Sequence, residues 1–180
     1  MSYNPTWDRI LADDEKIEYE FSIGWRYRLF GLIVFSLVSF GLIAWGVATA
    51  GATTESDTPR AMLGLVTAGM GAALFLFGLF YFLFYLKVAN LYAFTNRRVL
   101  VRRGWLSTEL TGVDYEDITD ITVIEPLFEK IFTSTGYIMV DTAGTEQQEI
   151  FLVAIENPYE VRKKLDEIRD RSVSHRVVIH

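Results

Sequence analysis

Residues 29–54, LFGLIVFSLVSFGLIAWGVATAGATT, run from Arg28 to Glu55 without a charge, and residues 61–86, AMLGLVTAGMGAALFLFGLFYFLFYL, do the same between Arg60 and Lys87. Each run holds 26 residues. As a helix, such a run extends about 39 Å at 1.5 Å per residue, more than a hydrocarbon core of about 30 Å. Neither run alternates with the period of a strand, and a segment crossing lipid must satisfy its own backbone, so both read as transmembrane helices. The expected spans are 29–52 and 61–86, inside a hairpin covering 25–87. Two buried core helices would need far more polar chain around them. A cleaved leader would need a short basic segment ahead of it, and the segment here is long and acidic.

The flanks give an orientation. Arg26 and Arg28 precede the first run, while Lys87, Arg97, Arg98, Arg102 and Arg103 follow the second; the connection between the runs offers Arg60 alone. The positive-inside rule then puts the connection outside and both termini in the cytoplasm, as a multi-pass cell-membrane protein. Trp25, Tyr27, Tyr81 and Tyr85 fall near the expected inner ends, where interfacial aromatics gather. Gly64, Ala68 and Ala72 share one face of the second helix, and Gly46 and Ala50 are spaced alike on the first, so close helix contact is expected there. No Asp, Glu, Lys, Arg or His lies inside either run. A proton relay or ion path ordinarily needs one, which argues against a transporter or pump.

The chain has 180 residues, 51% of them hydrophobic, a net charge of −6 and no cysteine. Disulfides, thiolate nucleophiles and Cys-ligated metals are excluded. Residues 1–24 carry six acids and two bases, and residues 87–180 carry fifteen acids and twelve bases. No segment is strongly basic, so nucleic acid is not expected as a partner.

From residue 88 the pattern changes. Leu91 to Phe94, Val99 to Val101, Trp105 to Val113, Ile118 to Val123, Tyr137 to Val140 and Glu149 to Ile155 read as short strands, punctuated by Thr95-Asn96, Gly104, Gly112, Pro126, Gly136 and Ala143-Gly144-Thr145. Asn157 fits a helix cap, with Pro158 and Glu160 at the first helical turn, and Val161, Leu165 and Ile168 make one apolar stripe. After Asp170 the structure is left open. Ahead of the hairpin, Ile17, Tyr19 and Phe21 alternate with charges, so residues 1–24 form an arm able to pack as a strand on the later domain or on a partner's sheet edge.

Tyr92-Ala93-Phe94-Thr95-Asn96-Arg97-Arg98-Val99-Leu100, then Arg103-Gly104-Trp105, resembles the opening hairpin of the bacterial pleckstrin-homology-like (PH-like) domain membrane proteins. Tyr115-Glu116-Asp117-Ile118-Thr119-Asp120-Ile121, the run Phe132 to Gly144, and Asn157-Pro158-Tyr159-Glu160-Val161 are similar to later pieces of the same family, in the same order. Thr133-Ser134-Thr135 departs from the shorter, more hydrophobic approach usual before Gly136. The resemblance covers residues 88–170, and hydrophobic helices ahead of the domain are also usual. It implies a membrane α-helical hairpin followed by an all-β PH-like split barrel of about seven strands, capped by a C-terminal α-helix. The expected layout is an arm at 1–24, the hairpin at 25–87, the PH-like domain at 88–171 and a tail at 172–180. Such a fold does not fix a function.

Arg97, Arg98, Arg102 and Arg103 are the candidate contact with lipid headgroups or the membrane surface, since anionic headgroups attract bases close to a bilayer. Adjacent strand residues point to opposite faces, so Arg102 and Arg103 cannot line one pocket together. Asp114, Glu116, Asp117 and Asp120 form an acidic group without the glycine and closing glutamate of a calcium loop. His175 and His180 lie in the tail, away from any held nucleophile, and Ser107, Thr108 and Thr111 have no base to activate them. No glycine-rich phosphate loop is present. No catalytic residue, cofactor or metal is expected.

The expectation is therefore a non-enzymatic, membrane-anchored adaptor or scaffold at the inner leaflet, acting through a protein partner or a second copy. The alternatives are a module recognising anionic headgroups, and an accessory subunit of a transport or secretion assembly. Expected partners are membrane lipids and protein, not nucleic acid.

Overall fold

The computed structural model describes Trp7 and residues 10–52, 58–105, 108–143 and 149–177, with side chains described through residue 172. In chain order the elements are β1 (Ile17–Ser22), α1 (Trp25–Gly51), α2 (Thr58–Leu79), a π-helical stretch (Phe80–Tyr85), α3 (Leu86–Ala89), β2 (Asn90–Thr95), β3 (Arg98–Arg103), β4 (Glu109–Asp114), β5 (Ile118–Ile124), α4 (Leu127–Phe132), β6 (Thr135–Thr142), β7 (Ile150–Glu156) and α5 (Pro158–Val177). They form two compact units: Trp25–Lys87, and Met1–Gly24 together with Val88–His180.

The first unit is the hairpin. Trp25–Gly51 and Thr58–Ala89 are both long and apolar enough to cross a membrane. Only 11% and 17% of their most apolar stretches are buried within the protein. Leu37, Trp45, Met62, Leu63, Leu65, Val66 and Leu76 all face outward. The helices meet through glycines. A Cβ added to Gly46 would stand 2.5 Å from the Ala68 nitrogen, and one added to Gly64 would stand 2.6 Å from the Ala50 nitrogen, so only glycine permits this approach. Gly71 packs against Ser39 and Ile43, and Gly78 against Phe35; the expected Ala72 is exposed instead. Along Phe80–Tyr85 the second helix widens to π geometry, the Leu86 amide bonding to the Tyr81 carbonyl. Arg28 reaches into this stretch and donates from Nη1 to the Leu83 carbonyl at 3.4 Å.

The second unit is built on two antiparallel sheets, β1-β2-β3-β4 and β5-β6-β7. The arm supplies the first strand: Phe21 pairs with Tyr92 and Ser22 with Leu91. Tyr92, Phe94, Val99, Val101 and Val113 from the first sheet meet Ile118, Ile121, Ile138, Val140 and Leu152 from the second in one core. The stripe Val161, Leu165 and Ile168 of α5 closes onto that core. The helix extends past Asp170 to Val177. Residues facing away from this core on β2 and β3 are buried as well. Trp7, fully buried, covers Ala93 and Leu100, with Ile10, Leu11, Ile17 and Leu91 around it. Both faces of the sheet are thus covered, which is why these two strands carry near-continuous apolar runs rather than clean alternation.

The sheets do not close into a barrel, and this corrects the split barrel expected from the resemblance. No ladder among the described residues joins one sheet to the other. Between β4 and β5 the chain turns a corner through the 3-10 turn Tyr115–Asp117 instead of a hairpin. Buried Tyr115 fixes that corner by donating its hydroxyl to the Thr95 carbonyl at 2.7 Å. Elsewhere, side chains satisfy backbone groups that a closing strand would have used. Arg103 Nη2 donates to the Phe151 carbonyl at 2.5 Å, and the Val153 amide donates to the Tyr92 hydroxyl at 3.2 Å. With those β7 groups already bonded, the backbone gains little from a further ladder there.

Candidate functional site

β2 runs from Asn90 to Thr95 and β3 returns from Arg98 to Arg103, with Asn90 opposite Arg103 and Phe94 opposite Val99. This register separates the four arginines. Arg97 and Arg98 sit at the turn, while Arg102 and Arg103 sit at the other end, beside the residues that follow α3. At about 3.3 Å per residue the two pairs are roughly 13–17 Å apart.

At the turn, the arm's acidic stretch engages the bases. Glu15, 6% exposed, accepts from Arg98 Nε at 2.9 Å and from the Thr95 hydroxyl at 2.8 Å on one oxygen. Its other oxygen accepts from Arg98 Nη2 at 2.8 Å and from the Ala12 amide at 3.2 Å. Burial pushes the Glu15 carboxyl up, but the bonds from Arg98, Thr95 and Ala12 outweigh it and hold the group below its ordinary value. Arg97 pairs with Asp14 at 3.2 Å. Asn96 completes the clasp: its side-chain oxygen accepts the Lys16 amide at 2.9 Å, and its backbone amide donates to the Lys16 carbonyl at 3.0 Å. The bases of the turn thus have carboxylate partners within the chain.

At the other end, Arg103 crosses to Phe151 as described. A groove of about 580 Å³ opens between the sheets here, lined by Val101, Arg103, Glu109, Thr111, Glu149, Ile150 and Phe151. One wall is β4, which among the described residues pairs only with β3 and is an edge of its sheet. Two acids, one guanidinium and an apolar floor give the groove a mixed surface.

Asp114, Glu116, Asp117 and Asp120 are spread over β4, the corner and β5, and all are exposed. Asp120 accepts from its neighbour's amide, Ile121 N, at 2.8 Å. Among the described residues, no three His, Asp or Glu side chains gather to hold a metal. Ser107 and His180 lie outside the described residues, as does the side chain of His175. Thr108 and Thr111 belong to the exposed approach to β4 and to the groove wall. The departure at Thr133-Ser134-Thr135 has a clear form: Ser134 takes a left-handed φ of 51°, and Thr133 and Thr135 join hydroxyls at 2.6 Å.

Sequence reasoning missed two features. Trp7 has no periodic neighbours to mark it, yet it donates its indole N–H to Glu20 at 2.9 Å and covers the outer face of the sheet. Helix α4 is a six-residue run with exposed Leu127, Phe128, Ile131 and Phe132. Six apolar and charged residues after Pro126 are too few to establish a helical period; the available signal was the pairing of apolar residues three and four apart.

The family model described as Bacterial PH domain matches residues 27–169. The chain belongs to the bacterial PH domain family. The match takes in the hairpin helices, β2 to β7 and most of α5, and leaves the arm and β1 outside it. Family membership makes this bacterial PH domain protein a non-enzymatic one. A solved structure, a DUF1696 family protein with a pleckstrin-homology domain from Shewanella loihica PV-4, aligns over 44% of this chain and 71% of its own length at 16% identity, with a TM-score of 0.35. No curated protein gives a significant match.

Proposed function

We propose that this bacterial PH domain protein is a multi-pass membrane adaptor. The hairpin spans the cell membrane, both termini are cytoplasmic, and the sheet unit presents a docking groove at the inner leaflet. The observation that carries the reading is the open seam between the sheets, where the β4 edge borders a groove of about 580 Å³. An extended segment of a protein partner, or of a second copy, would add to the edge of β4 through main-chain hydrogen bonds, the mode known as strand addition. Glu109 and Glu149 would receive a basic side chain of that segment, and Ile150 and Phe151 an apolar one. In full-length protein held in nanodiscs, extended peptides alternating basic and apolar residues bind, and Glu109→Lys with Glu149→Lys weakens them at least about tenfold, or about 1.4 kcal/mol. A preference for acidic peptides, or binding indifferent to both substitutions, would overturn the groove.

A second reading rests on Arg102. Among the described residues its guanidinium makes no hydrogen bond or ion pair, and its backbone pairs across the sheet with Leu91, two residues beyond α3. Of Arg97, Arg98, Arg102 and Arg103, Arg102 therefore fits contact with anionic headgroups better than the carboxylate-bound pair at the turn or groove-lining Arg103. The sheet unit would then both anchor on lipid and receive its partner. Assembly as an accessory subunit of a transport or secretion complex has no observation favouring it.

A further inference from the structure

Within the hairpin unit, Arg28 turns toward the second helix. Arg28, Gly31, Phe35 and Ser39 fall on one face of α1. The rest of that face meets the partner helix: a side chain at Gly31 would strike the Phe82 ring, Phe35 lies against Gly78, and Gly71 packs on Ser39. The Phe35 and Phe82 rings stand 6.0 Å apart. Arg28 continues this face at the end of the helix and donates from Nη1 to the Leu83 carbonyl at 3.4 Å. Its acceptor belongs to the π-helical stretch Phe80–Tyr85. A π turn inside an α-helix is rare, recurs at functional sites, and arises where a side chain enters the helical ladder.

The guanidinium is otherwise unanswered. Its Nε is shut off from solvent with no hydrogen-bond partner, and among the described residues Arg28 makes no other hydrogen bond or ion pair. An orphaned donor of this kind is costly. No acid of the same unit is placed to meet it. Between Trp25 and Lys87 the acids are Glu55 and Asp57, in the connection past Gly51, and Gly51 is about 35 Å along α1 from Arg28. Arg98 shows what such a group takes: its Nε and Nη2 close on the two oxygens of Glu15. In Arg28 that same edge is the unengaged one, since Nη1 is the nitrogen turned to Leu83. The side chain is only half-buried and Nη2 is not closed off, so an anion approaches from the Nη2 side.

The surroundings select the anion. Tyr81 and Tyr85, two residues to either side of Leu83, stack at 5.3 Å, and Trp25, three residues ahead of Arg28, is 57% exposed. Tryptophan and tyrosine gather at the level of lipid headgroups, and basic pockets between membrane helices bind anionic headgroups. We propose that Arg28 and the π-helical turn form a phospholipid site: the Nε–Nη2 edge grips two phosphate oxygens of an anionic headgroup, while the Leu83 carbonyl holds the guanidinium through Nη1. Paired oxygens of a phosphate match this edge as a carboxylate does. The site rests on the membrane reading of the hairpin and is independent of the groove and of Arg102.

Full-length protein in detergent micelles is titrated with phosphatidylglycerol, and bound lipid is counted by native mass spectrometry. Arg28→Ala and Arg28→Lys should each weaken the tightest phosphatidylglycerol about tenfold or more, because lysine keeps the charge and loses the fork. Retention by Arg28→Lys equal to wild type would overturn the site and leave a point charge; equal retention by Arg28→Ala would overturn it outright. Inorganic phosphate should not displace the lipid, and displacement would reassign the site to a soluble anion. Phosphatidylglycerol should also raise the unfolding midpoint of wild type more than that of Arg28→Lys, a comparison that holds even where the variant is less stable; equal rises would count against the site. With no native cysteine, a fluorophore on a single cysteine at Val47 of α1 tests the membrane reading separately in phosphatidylcholine–phosphatidylglycerol vesicles. Quenching there by lipid-borne nitroxide supports that reading whatever Arg28 does, and quenching by iodide would sink the reading and the site together.

Discussion

Glu15 and Arg98 form a two-point ion pair, Nε at 2.9 Å to one carboxylate oxygen and Nη2 at 2.8 Å to the other, linking the segment before the hairpin to the turn that follows it. Eighty-three positions separate the partners, and both long apolar helices lie between them. The pair therefore reports whether the two parts of the sheet unit have come together. Glu15→Gln leaves a neutral acceptor in a buried place, and Arg98→Lys cannot reproduce the planar fork. Each should lower stability by about 1.5–3 kcal/mol, the range for hydrogen bonds to charged groups, seen as a lower unfolding midpoint in detergent micelles. An unchanged midpoint for both variants would deny the pair a structural role.

The same pair predicts an acid limit. Burial raises the Glu15 carboxyl and the bonds from Arg98, Thr95 and Ala12 lower it further than burial raises it, so its folded value is depressed. A depressed carboxylate contributes stability that is whole above its unfolded value, about 4.3, and is lost as pH falls through the lower folded value. Wild-type protein and Glu15→Gln should differ most near neutral pH and converge below about pH 4. Melting curves across that range check it; a difference that grows on acidification would reverse the sign.

Helix contact in the hairpin gives a paired test. A side chain at Gly46 or Gly64 would collide with backbone of the opposite helix, whereas nothing lies within 4 Å of a Cβ at Gly41 or Gly69. Gly46→Leu and Gly64→Leu should each cost about 1–3 kcal/mol through overpacking, and Gly41→Leu and Gly69→Leu should be close to neutral. Thermal unfolding of the four variants in one detergent separates the two classes.

Fully buried Leu165 anchors α5 on the core. Leu165→Ala should destabilise by about 2–5 kcal/mol, while replacing exposed Lys164 by Ala should change little. A small effect at 165 would mean that α5 is not part of the cooperative core.

The proposed lipid contact through Arg102 is separable from the turn. In native mass spectra of the detergent-solubilised chain, Arg102→Ala should retain less phosphatidylglycerol than wild type, and Arg97→Ala as much. Equal retention in both would leave Arg102 out of headgroup contact.

The two long helices were legible because 26 residues without a charge or a strand's alternation leave a helix as the natural form, and the strands because each short apolar run ends at a turn residue. Asn157 stands just ahead of α5 as expected, though it takes a left-handed φ of 50° and offers its carbonyl to Glu160 and Val161. Barrel closure was not legible. It depends on whether distant edges pair, and here Arg103 and Tyr92 meet β7 with side chains, which no local pattern encodes. The arginine cluster was legible as composition but not as geometry. Residues five apart along one strand lie at its two ends, and the turn pair meets acids from the far side of both long helices in sequence. Trp7 and α4 are tertiary features: a lone tryptophan and a six-residue helix acquire meaning only from what they lie against.

Cysteine accessibility decides whether the bacterial PH domain stands on the inner face of the membrane on its two-helix hairpin. Single cysteines at Ser56, between the spans, and at Lys163, on α5, are exposed to a membrane-impermeant thiol reagent in intact cells. Labelling at 56 in intact cells and at 163 only after permeabilisation is expected; labelling at 163 with 56 protected would put the domain on the outer face instead.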